Sequence, residues 1–392
     1  MSRLNTEILK QEAQTYLREN QNEDIRKISL QKSPFENISS AELAQQIKGL
    51  QIAKHKFAFL YEQEGIYFPP SLNLEQASSF STAKYKSKLV QGKSLMDLTA
   101  GMGIDAFAFS QVFESVTALE RNSDLVEISK HNYSVLNQSN LKYFTLDFET
   151  YLAENPELKW NVIYLDPSRR IESQRKVILE DLEPNILDWM DEFLSRAEMV
   201  MIKLSPLLDL KSTLEKIPQI HEIHIVALKN EVKELLLVCQ KNLNSNPKII
   251  AINLESNQPD FEFNWNEESE VISDFSEPRK YIYEPNASIL KSGAFKLISE
   301  KFNLKKLHSN THLYTSDELK ADFPGKTFEL VGELRDPKRQ LKNGSFHVIS
   351  KNYPLSVELI RKKYNLKESE NQTLIFTQSI AGKHILLCKR IL

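Results

Sequence analysis

Ser94-Leu95-Met96-Asp97-Leu98-Thr99-Ala100-Gly101-Met102-Gly103-Ile104-Asp105 is the stretch on which the reading of this chain turns. A short apolar run ends in an acid, a glycine pair follows, and an amphipathic segment begins. That is the pattern of strand, tight turn and helix. Glycine allows φ > 0 and lets the backbone pass close to a ligand. The first turn of the helix offers N–H groups without intrahelical partners. Many cofactor-binding sheets begin in this way, so the residues that follow must decide between cofactors.

Working outward, strands and helices alternate. Apolar runs at 94–98, 115–120, 142–145, 161–166, 199–204, 222–227 and 234–240 read as strands, with helical periodicity at 105–113, 123–137 and 182–195. The last two strands are separated only by residues 228–233, too few for a crossover helix, so they form an antiparallel hairpin. The pattern predicts an α/β fold: a Rossmann-like, doubly wound sheet of seven strands with an antiparallel edge hairpin. Residues 1–86 read as a helical N-terminal domain, with a capping-box pattern at Ser39-Ser40-Ala41-Glu42 and a break at Pro69-Pro70. The sheet domain is expected over 87–248, with an acidic stretch of strands or linker (249–278) and a small α+β domain making up 249–340, and a further small α+β module over 341–392.

A chain of 392 residues is expected to build more than one core. Its 41% hydrophobic and 26% charged residues are ordinary for a globular protein. No apolar run approaches the roughly 20 residues that span a bilayer, so no membrane partner is expected. The polar first twenty residues do not read as a secretory signal. Two isolated cysteines, Cys239 and Cys388, make neither a disulfide framework nor a zinc knuckle, which fits a reducing cytoplasm and no metal. The net charge of −3 hides an asymmetry: residues 279–392 hold 21 Lys and Arg against 11 Asp and Glu, while 249–278 hold eight acids and no Lys or Arg. A basic tail is a candidate binder of an anionic polymer; a chance imbalance on a solvated surface is the alternative.

The chemistry collects around the glycine turn. Asp97, Thr99, Ala100, Gly101 and Gly103 form the candidate cofactor-binding stretch, and Glu120 ends the next strand, where an acid accepts ribose hydroxyls. A dinucleotide site also has these features, but it wants a third small residue, and Phe107 stands there instead. The Asp97 carboxylate would repel a pyrophosphate and suits a cationic group. Acid, glycine turn and second acid together describe S-adenosylmethionine, which carries an ammonium and a sulfonium. Asp147 is placed either to accept from the adenine amine or to cap the next helix. The fourth strand ends Leu165-Asp166-Pro167-Ser168-Arg169-Arg170, at the sheet edge where open α/β sheets bind ligands. There Asp166, held by Pro167, lines the cofactor and faces the acceptor. Arg169 and Arg170 are candidates to clamp phosphate or stack on a base.

These segments, with Glu75-Gln76-Ala77-Ser78-Ser79, Thr82-Ala83-Lys84-Tyr85-Lys86, Tyr283-Glu284-Pro285-Asn286-Ala287 and Leu307-His308-Ser309-Asn310-Thr311-His312-Leu313-Tyr314, resemble the class I S-adenosylmethionine-dependent methyltransferases. More narrowly, the chain resembles the bacterial group with a ferredoxin-like domain followed by a C-terminal THUMP-like domain, and the likeness runs over nearly its whole length. The resemblance implies that Asp97, Gly101 and Gly103 bind the methionine part, that Glu120 binds the ribose, and that Asp166 and Pro167 face the acceptor. THUMP domains of other enzymes bind RNA, so it implies rRNA or tRNA as substrate. One departure bears on the acceptor. Methyltransferases acting on exocyclic amines commonly carry Asn/Asp-Pro-Pro-aromatic after strand four, and this chain has Ser168 and Arg169 instead. That weakens the case for N-methylation of a base amine.

Other signals are weaker. His221 and His224 fall on opposite faces of one strand and cannot share a metal. His308 and His312 have no third ligand nearby and are read as structural. Ser79 and Thr82 either cover the cofactor or cap a helix. Methylation of a small molecule or protein, and a non-catalytic binding protein of this fold, stand as rivals to the RNA methyltransferase.

Overall fold

The computed structural model describes residues 4–169, 178–241 and 245–391, with only the backbone of Arg169; Arg170 lies outside the described residues. The chain divides into two compact units, Met1–Ile220 with Leu236–Leu243, and His221–Leu235 with Asn244–Leu392.

The first unit opens on six helices, α1 (Gln11–Glu19), α2 (Ile25–Leu30), α3 (Ser40–Lys56), α4 (Ala58–Tyr61), α5 (Ser71–Gln76) and α6 (Phe80–Lys88). The predicted capping box starts α3: Ser39 Oγ accepts from the Glu42 amide at 3.2 Å and the Glu42 carboxylate accepts from the Ser39 amide at 2.8 Å. Leu43, Ile47, Leu50, Phe57 and Leu60 share a core with Ile104 and Ala108 of α7 (Ile104–Ser110). Phe107 lies between Phe59, stacked at 4.4 Å, and Tyr133, stacked at 5.5 Å. The residue that replaces the small third position of a dinucleotide turn therefore docks the N-terminal helices onto the turn helix.

The central sheet holds β1 (Ser94–Asp97), β2 (Ser115–Glu120), β3 (Leu141–Thr145) and β4 (Trp160–Leu165). A two-residue ribbon follows, β5 (Ser168–Arg169) against β6 (Leu182–Glu183), and β7 (Ala197–Leu204) completes the parallel set. The order β7-β4-β1-β2-β3 is parallel throughout. The interior strands β1 and β4 are buried almost throughout because helices cover both faces. Those helices are α7, α8 (Ser123–Val135), α9 (Phe148–Glu154) and α10 (Ile186–Arg196), with α11 (Leu210–Lys216) leading to the hairpin. The helix expected from residue 182 starts four residues later, because Leu182 and Glu183 pair with Arg169 and Ser168 and Asn185 caps the helix by accepting from the Leu187 amide at 3.2 Å.

The antiparallel hairpin is β8 (Ile220–Leu228) and β9 (Glu231–Cys239). Lys229 and Asn230 turn it with φ of 52° and 67°, the pair of positive values that matches strand twist. The division between the units falls within this hairpin.

In the second unit, β10 (Lys248–Leu254) runs parallel to β8, from Glu222 against Lys248 to Leu228 against Leu254, and β11 (Phe261–Asn264) is antiparallel to β10. These two strands go beyond the seven expected. Ile249-Ile250-Ala251-Ile252 is buried on both faces, so it lacks the alternation that marks a half-exposed strand. After α12 (Glu267–Glu270) comes a seven-stranded sheet. Its strands are β12 (Tyr281–Pro285), β13 (Lys305–His308), β14 (Thr311–Ser316), β15 (Gly325–Glu333), β16 (His347–Ser350), β17 (Thr373–Ser379) and β18 (Gly382–Arg390), in the order β13-β14-β12-β15-β18-β17-β16. The helix expected near 288–301 is two, α13 (Ala287–Ser292) and α14 (Leu297–Lys301), parted at Gly293 with φ of 79°. The remaining helices are α15 (Pro337–Leu341) and α16 (Val357–Tyr364).

Cys239 and Cys388 are buried and free, and burial pushes the Cys388 thiol up to about 12. Among the described residues, no helix is long and apolar enough to cross a membrane.

Candidate active site

The carboxyl ends of β1, β2, β3 and β4 open into a cleft of about 930 Å³ within the first unit. Asp97, Thr99, Ala100, Gly101, Gly103, Glu120, Asp147 and Asp166 all line it. Pro167 is buried behind Asp166, and Arg169 is placed only by its backbone in β5.

The two glycines are needed for different reasons. Gly103 has φ of 79°, and a Cβ there would sit 1.5 Å from the Tyr143 hydroxyl. Gly101 has φ of 55° and nothing within 4 Å of a Cβ, so its backbone borders open space. Glu120 accepts from the Gly101 amide at 3.1 Å and the Asn122 amide at 2.9 Å. Each oxygen keeps a lone pair for a hydroxyl donor.

Two buried aspartates flank the turn and differ in their electrostatics. Asp105 sits in a closed cluster: Lys86 Nζ at 3.0 Å, Ser78 Oγ donating at 2.7 Å and Tyr164 Oη donating at 2.8 Å. Burial alone would raise its carboxyl. Lys86, then Lys203 and the two hydrogen bonds, outweigh burial and hold it below the usual carboxylate value. Asp97 is fully buried, with no such cation among the described residues. Its Oδ1 accepts from the Thr99 amide at 3.0 Å, while its Oδ2 has no hydrogen-bond partner among the described residues. Burial pushes Asp97 well above the ordinary range, and the charges of Asp105, Asp166 and Glu120 push the same way. A buried carboxylate oxygen without a partner is costly unless a cation meets it.

Asp166 stands at the cleft edge. Its amide donates to Thr99 Oγ1 at 2.6 Å, and Lys203 Nζ of β7 donates to its Oδ2 at 2.5 Å. Thr99 therefore links Asp97 to Asp166, tying the turn to the acceptor edge. Asp147 caps α9 by accepting from the Thr150 amide at 2.7 Å and the Thr150 hydroxyl at 2.9 Å. Those bonds hold its carboxyl below the ordinary value, the backbone bond foremost. Of the two readings open for Asp147, capping is the one with a contact, although the residue also lines the cleft.

The sequence reading missed Lys203, Lys86, Asp105 and the aromatic wall. Lys203 sits in an apolar strand with no motif around it. Lys86 and Ser78 lay within segments singled out above, but their partner Asp105 was hidden in the turn helix. Phe148 and Trp189 meet edge to face at 5.0 Å, and both line the cleft. Trp189 of α10 thus supplies an aromatic side chain that the Ser168–Arg169 segment lacks. Ser79 caps α6 by accepting from the Thr82 amide at 3.2 Å.

His308 and His312 lie on the β13–β14 hairpin, and His312 stacks on Phe295 at 3.7 Å. Burial first, then the charges of Lys306 and Lys351, hold His312 down to about 4. Its folded-state value lies below the unfolded one, so the unfolded chain protonates first as pH falls. Stability is fully present above about pH 6.5 and declines towards pH 4, by about 1–3 kcal/mol. Thermal unfolding across that range is expected to show the decline. His312→Phe, which keeps the ring stack, is expected to flatten it.

The comparisons with known proteins agree with this geometry. Residues 281–324 match a ferredoxin-like domain family, and residues 331–390 match a THUMP-like domain family. The chain is similar over 99% of its length to the crystal structure of a protein assigned as a methyltransferase from Porphyromonas gingivalis W83. Identity is 30%, the TM-score is 0.87, and 99% of that chain is covered. It is 21% identical over 326 residues to an uncharacterised S-adenosylmethionine-dependent methyltransferase of Mycobacterium tuberculosis, covering 79% of this chain and 84% of the relative. The unpartnered Asp97 oxygen, the open backbone at Gly101 and the Glu120 carboxylate suit a cofactor with a cationic amino-acid end and a ribose. This chain belongs to the family of S-adenosylmethionine-dependent methyltransferases with C-terminal ferredoxin-like and THUMP-like domains.

Proposed function

We propose that the protein methylates RNA, with Asp97, Thr99, Ala100, Gly101, Gly103 and Glu120 holding the cofactor and Asp166 steering the acceptor. The observation that supports the cofactor placement is the contrast between the two buried aspartates: Asp105 has its lysine, while Asp97, which also lines the cleft, has an Oδ2 without a hydrogen-bond partner among the described residues. The cofactor's ammonium is the cation that suits Asp97. Glu120 accepts the ribose hydroxyls, and Phe148 and Trp189 offer apolar faces to a planar ring. When bound, S-adenosylmethionine supplies a methyl group made electrophilic by its sulfonium. The chain's own task is then to fix the acceptor in line with that methyl, where geometry outweighs base strength. Lys203 and the Thr99 hydroxyl hold Asp166 in one orientation for this purpose.

Support for RNA is the match of residues 331–390 to THUMP-like domains together with the basic excess of the C-terminal region. We keep the four-part division of the chain, at 86, 248 and 340, as part of this reading. The test is transfer of radiolabel from S-adenosylmethionine to total RNA of a strain lacking the protein. Label in RNA is expected. Label only in protein or small molecules would overturn the RNA assignment. Asp166→Asn is expected to lower transfer about hundredfold or more while S-adenosylmethionine still binds; undiminished transfer would remove Asp166 from the acceptor role.

A further inference from the structure

Between residues 334 and 367 the chain carries nine Lys and Arg against two acids. The fold gathers most of them. The end of α15 and the end of α16 are tied together: the Asn343 amide donates to the Tyr364 carbonyl at 3.2 Å, and Asn365 Nδ2 donates to Asn343 Oδ1 at 2.8 Å. Further along, the Lys367 amide donates to the Gly344 carbonyl at 2.9 Å. Asn343 and Asn365 take φ of 60° and 53°, the left-handed conformation that lets each chain leave its helix there. Leu341, Ile360, Tyr364 and Leu366 point into a shared core. Lys338, Arg339, Lys342, Lys362, Lys363 and Lys367 are left exposed around the junction.

None of these six cations is in an ion pair among the described residues. Of the acids nearby, Asp336 caps α15 by accepting from the Arg339 amide at 3.3 Å, Glu368 pairs with Arg361 and His347, and Glu333 pairs with His384; Glu358, at the opposite end of α16, forms no ion pair among the described residues. Of the exposed lysines elsewhere, some have carboxylates, as in Lys10–Glu7, Lys27–Glu23 and Lys229–Glu255, and others, such as Lys54, Lys88 and Lys142, form no ion pair among the described residues. A cation near a helix C-terminus stabilises the helix by about 0.3–1 kcal/mol; Lys338, Arg339, Lys362 and Lys363 lie in the last turns of α15 and α16, so that role reaches four of the six and leaves Lys342 and Lys367. Six like charges closer together than a Debye length of about 8 Å in places repel one another, and a polyanion relieves that repulsion.

We propose that this face, formed by the adjoining ends of α15 and α16, is a phosphate-backbone contact surface for the RNA substrate. The proposal rests on the RNA reading above and deepens it. Leu359 is the one large apolar side chain exposed between residues 334 and 367 among the described residues. A protein-binding surface would be expected to centre on aromatic and apolar anchors, and base readout would need stacking rings or planar hydrogen-bonding groups. Among the described residues this face exposes no aromatic ring, and Arg339 is its one guanidinium. It grips phosphates and leaves the choice of nucleotide to other residues.

The test is equilibrium binding of a fluorescein-labelled, single-stranded RNA of mixed sequence to the full-length protein over a salt series. The variant is the quadruple change Lys338→Gln, Lys342→Gln, Lys362→Gln and Lys363→Gln. At physiological salt its affinity is expected to fall at least about tenfold, and the slope of log K against log salt to flatten by about 3, at roughly 0.7 per phosphate contact. Poly(A) and poly(U) should be affected alike. Replacing the same four lysines by arginine should keep both affinity and slope, which separates lost charge from lost fold. S-adenosylmethionine binding should be the same in all three proteins. If the wild type binds RNA and the glutamine variant binds equally well with the same slope, this face is not the contact surface and the RNA reading survives. If the wild type does not bind RNA, the surface proposal and the RNA reading fall together.

Discussion

Lys86→Met is expected to destabilise the first unit by about 3–5 kcal/mol, the usual cost of leaving one member of a buried ion pair without its partner. Lys86 is fully buried, and its ammonium is 3.0 Å from Asp105 and 3.0 Å from Ser78 Oγ. Methionine fills much of the same volume, so packing changes little and the loss is electrostatic. Asp105 would keep its bonds from Ser78 and Tyr164 but lose its counter-charge two residues beyond Gly103. Urea unfolding followed by tryptophan fluorescence reads this unit well, since Trp160 and Trp189 lie in it. The double change Lys86→Met with Asp105→Asn should recover most of the loss, because a neutral amide needs no counter-ion and the pair is strongly coupled. A single variant as stable as wild type, or a double variant no better than the single, would show that the pair does not support the turn.

Asp97→Asn is expected to act in opposite directions on stability and on binding. In the protein without ligand, Asp97 Oδ2 is a buried acceptor with no partner among the described residues. Replacing the carboxylate by an amide of nearly the same shape should stabilise the free protein by about 1–2 kcal/mol near neutral pH. The same change removes the charge that faces the cofactor's ammonium, and S-adenosylmethionine affinity should fall about hundredfold or more. The pH dependence has a definite sign. Asp97 is raised in the folded state, so its contribution to stability is fully present below the ordinary carboxylate range and is lost as pH rises through the raised value. The asparagine variant should lack that loss. Binding should follow the reverse trend and strengthen with pH in the wild type, because only the ionised carboxylate attracts an ammonium. Calorimetric titration with S-adenosylmethionine, alongside thermal unfolding of the free protein, checks both arms. Binding as tight as wild type in Asp97→Asn would sink the cofactor assignment.

The elements legible in the sequence were those whose signals are local. The parallel strands around Asp97 and Glu120 announced themselves by apolar runs between amphipathic helices. The β8–β9 hairpin followed from the shortness of its connection, and the α3 start from Ser39 and Glu42. The elements missed had signals that cancel. Ile249-Ile250-Ala251-Ile252 is buried on both faces and shows no alternation. Gly293 divides what periodicity joined. Leu182 and Glu183 carry helical periodicity but pair as a strand with Ser168 and Arg169.

The sequence by itself determined that the glycine turn and the ends of β1, β2 and β4 border the cleft, because strand ends and a glycine turn are set by neighbours along the chain. It singled out Asp97 from its place at the end of the strand but gave Asp105, in the turn helix, no role. Only the tertiary structure set the two apart electrostatically, by bringing Lys86 from α6 to Asp105 and, among the described residues, no cation into an ion pair with Asp97. Nor could the sequence find Lys203 behind Asp166, Trp189 in the cleft wall, or the cations gathered where α15 and α16 end. Each depends on side chains far apart in sequence meeting at distances of a few ångströms, and Coulomb and hydrogen-bond energies depend on that distance rather than on separation along the chain.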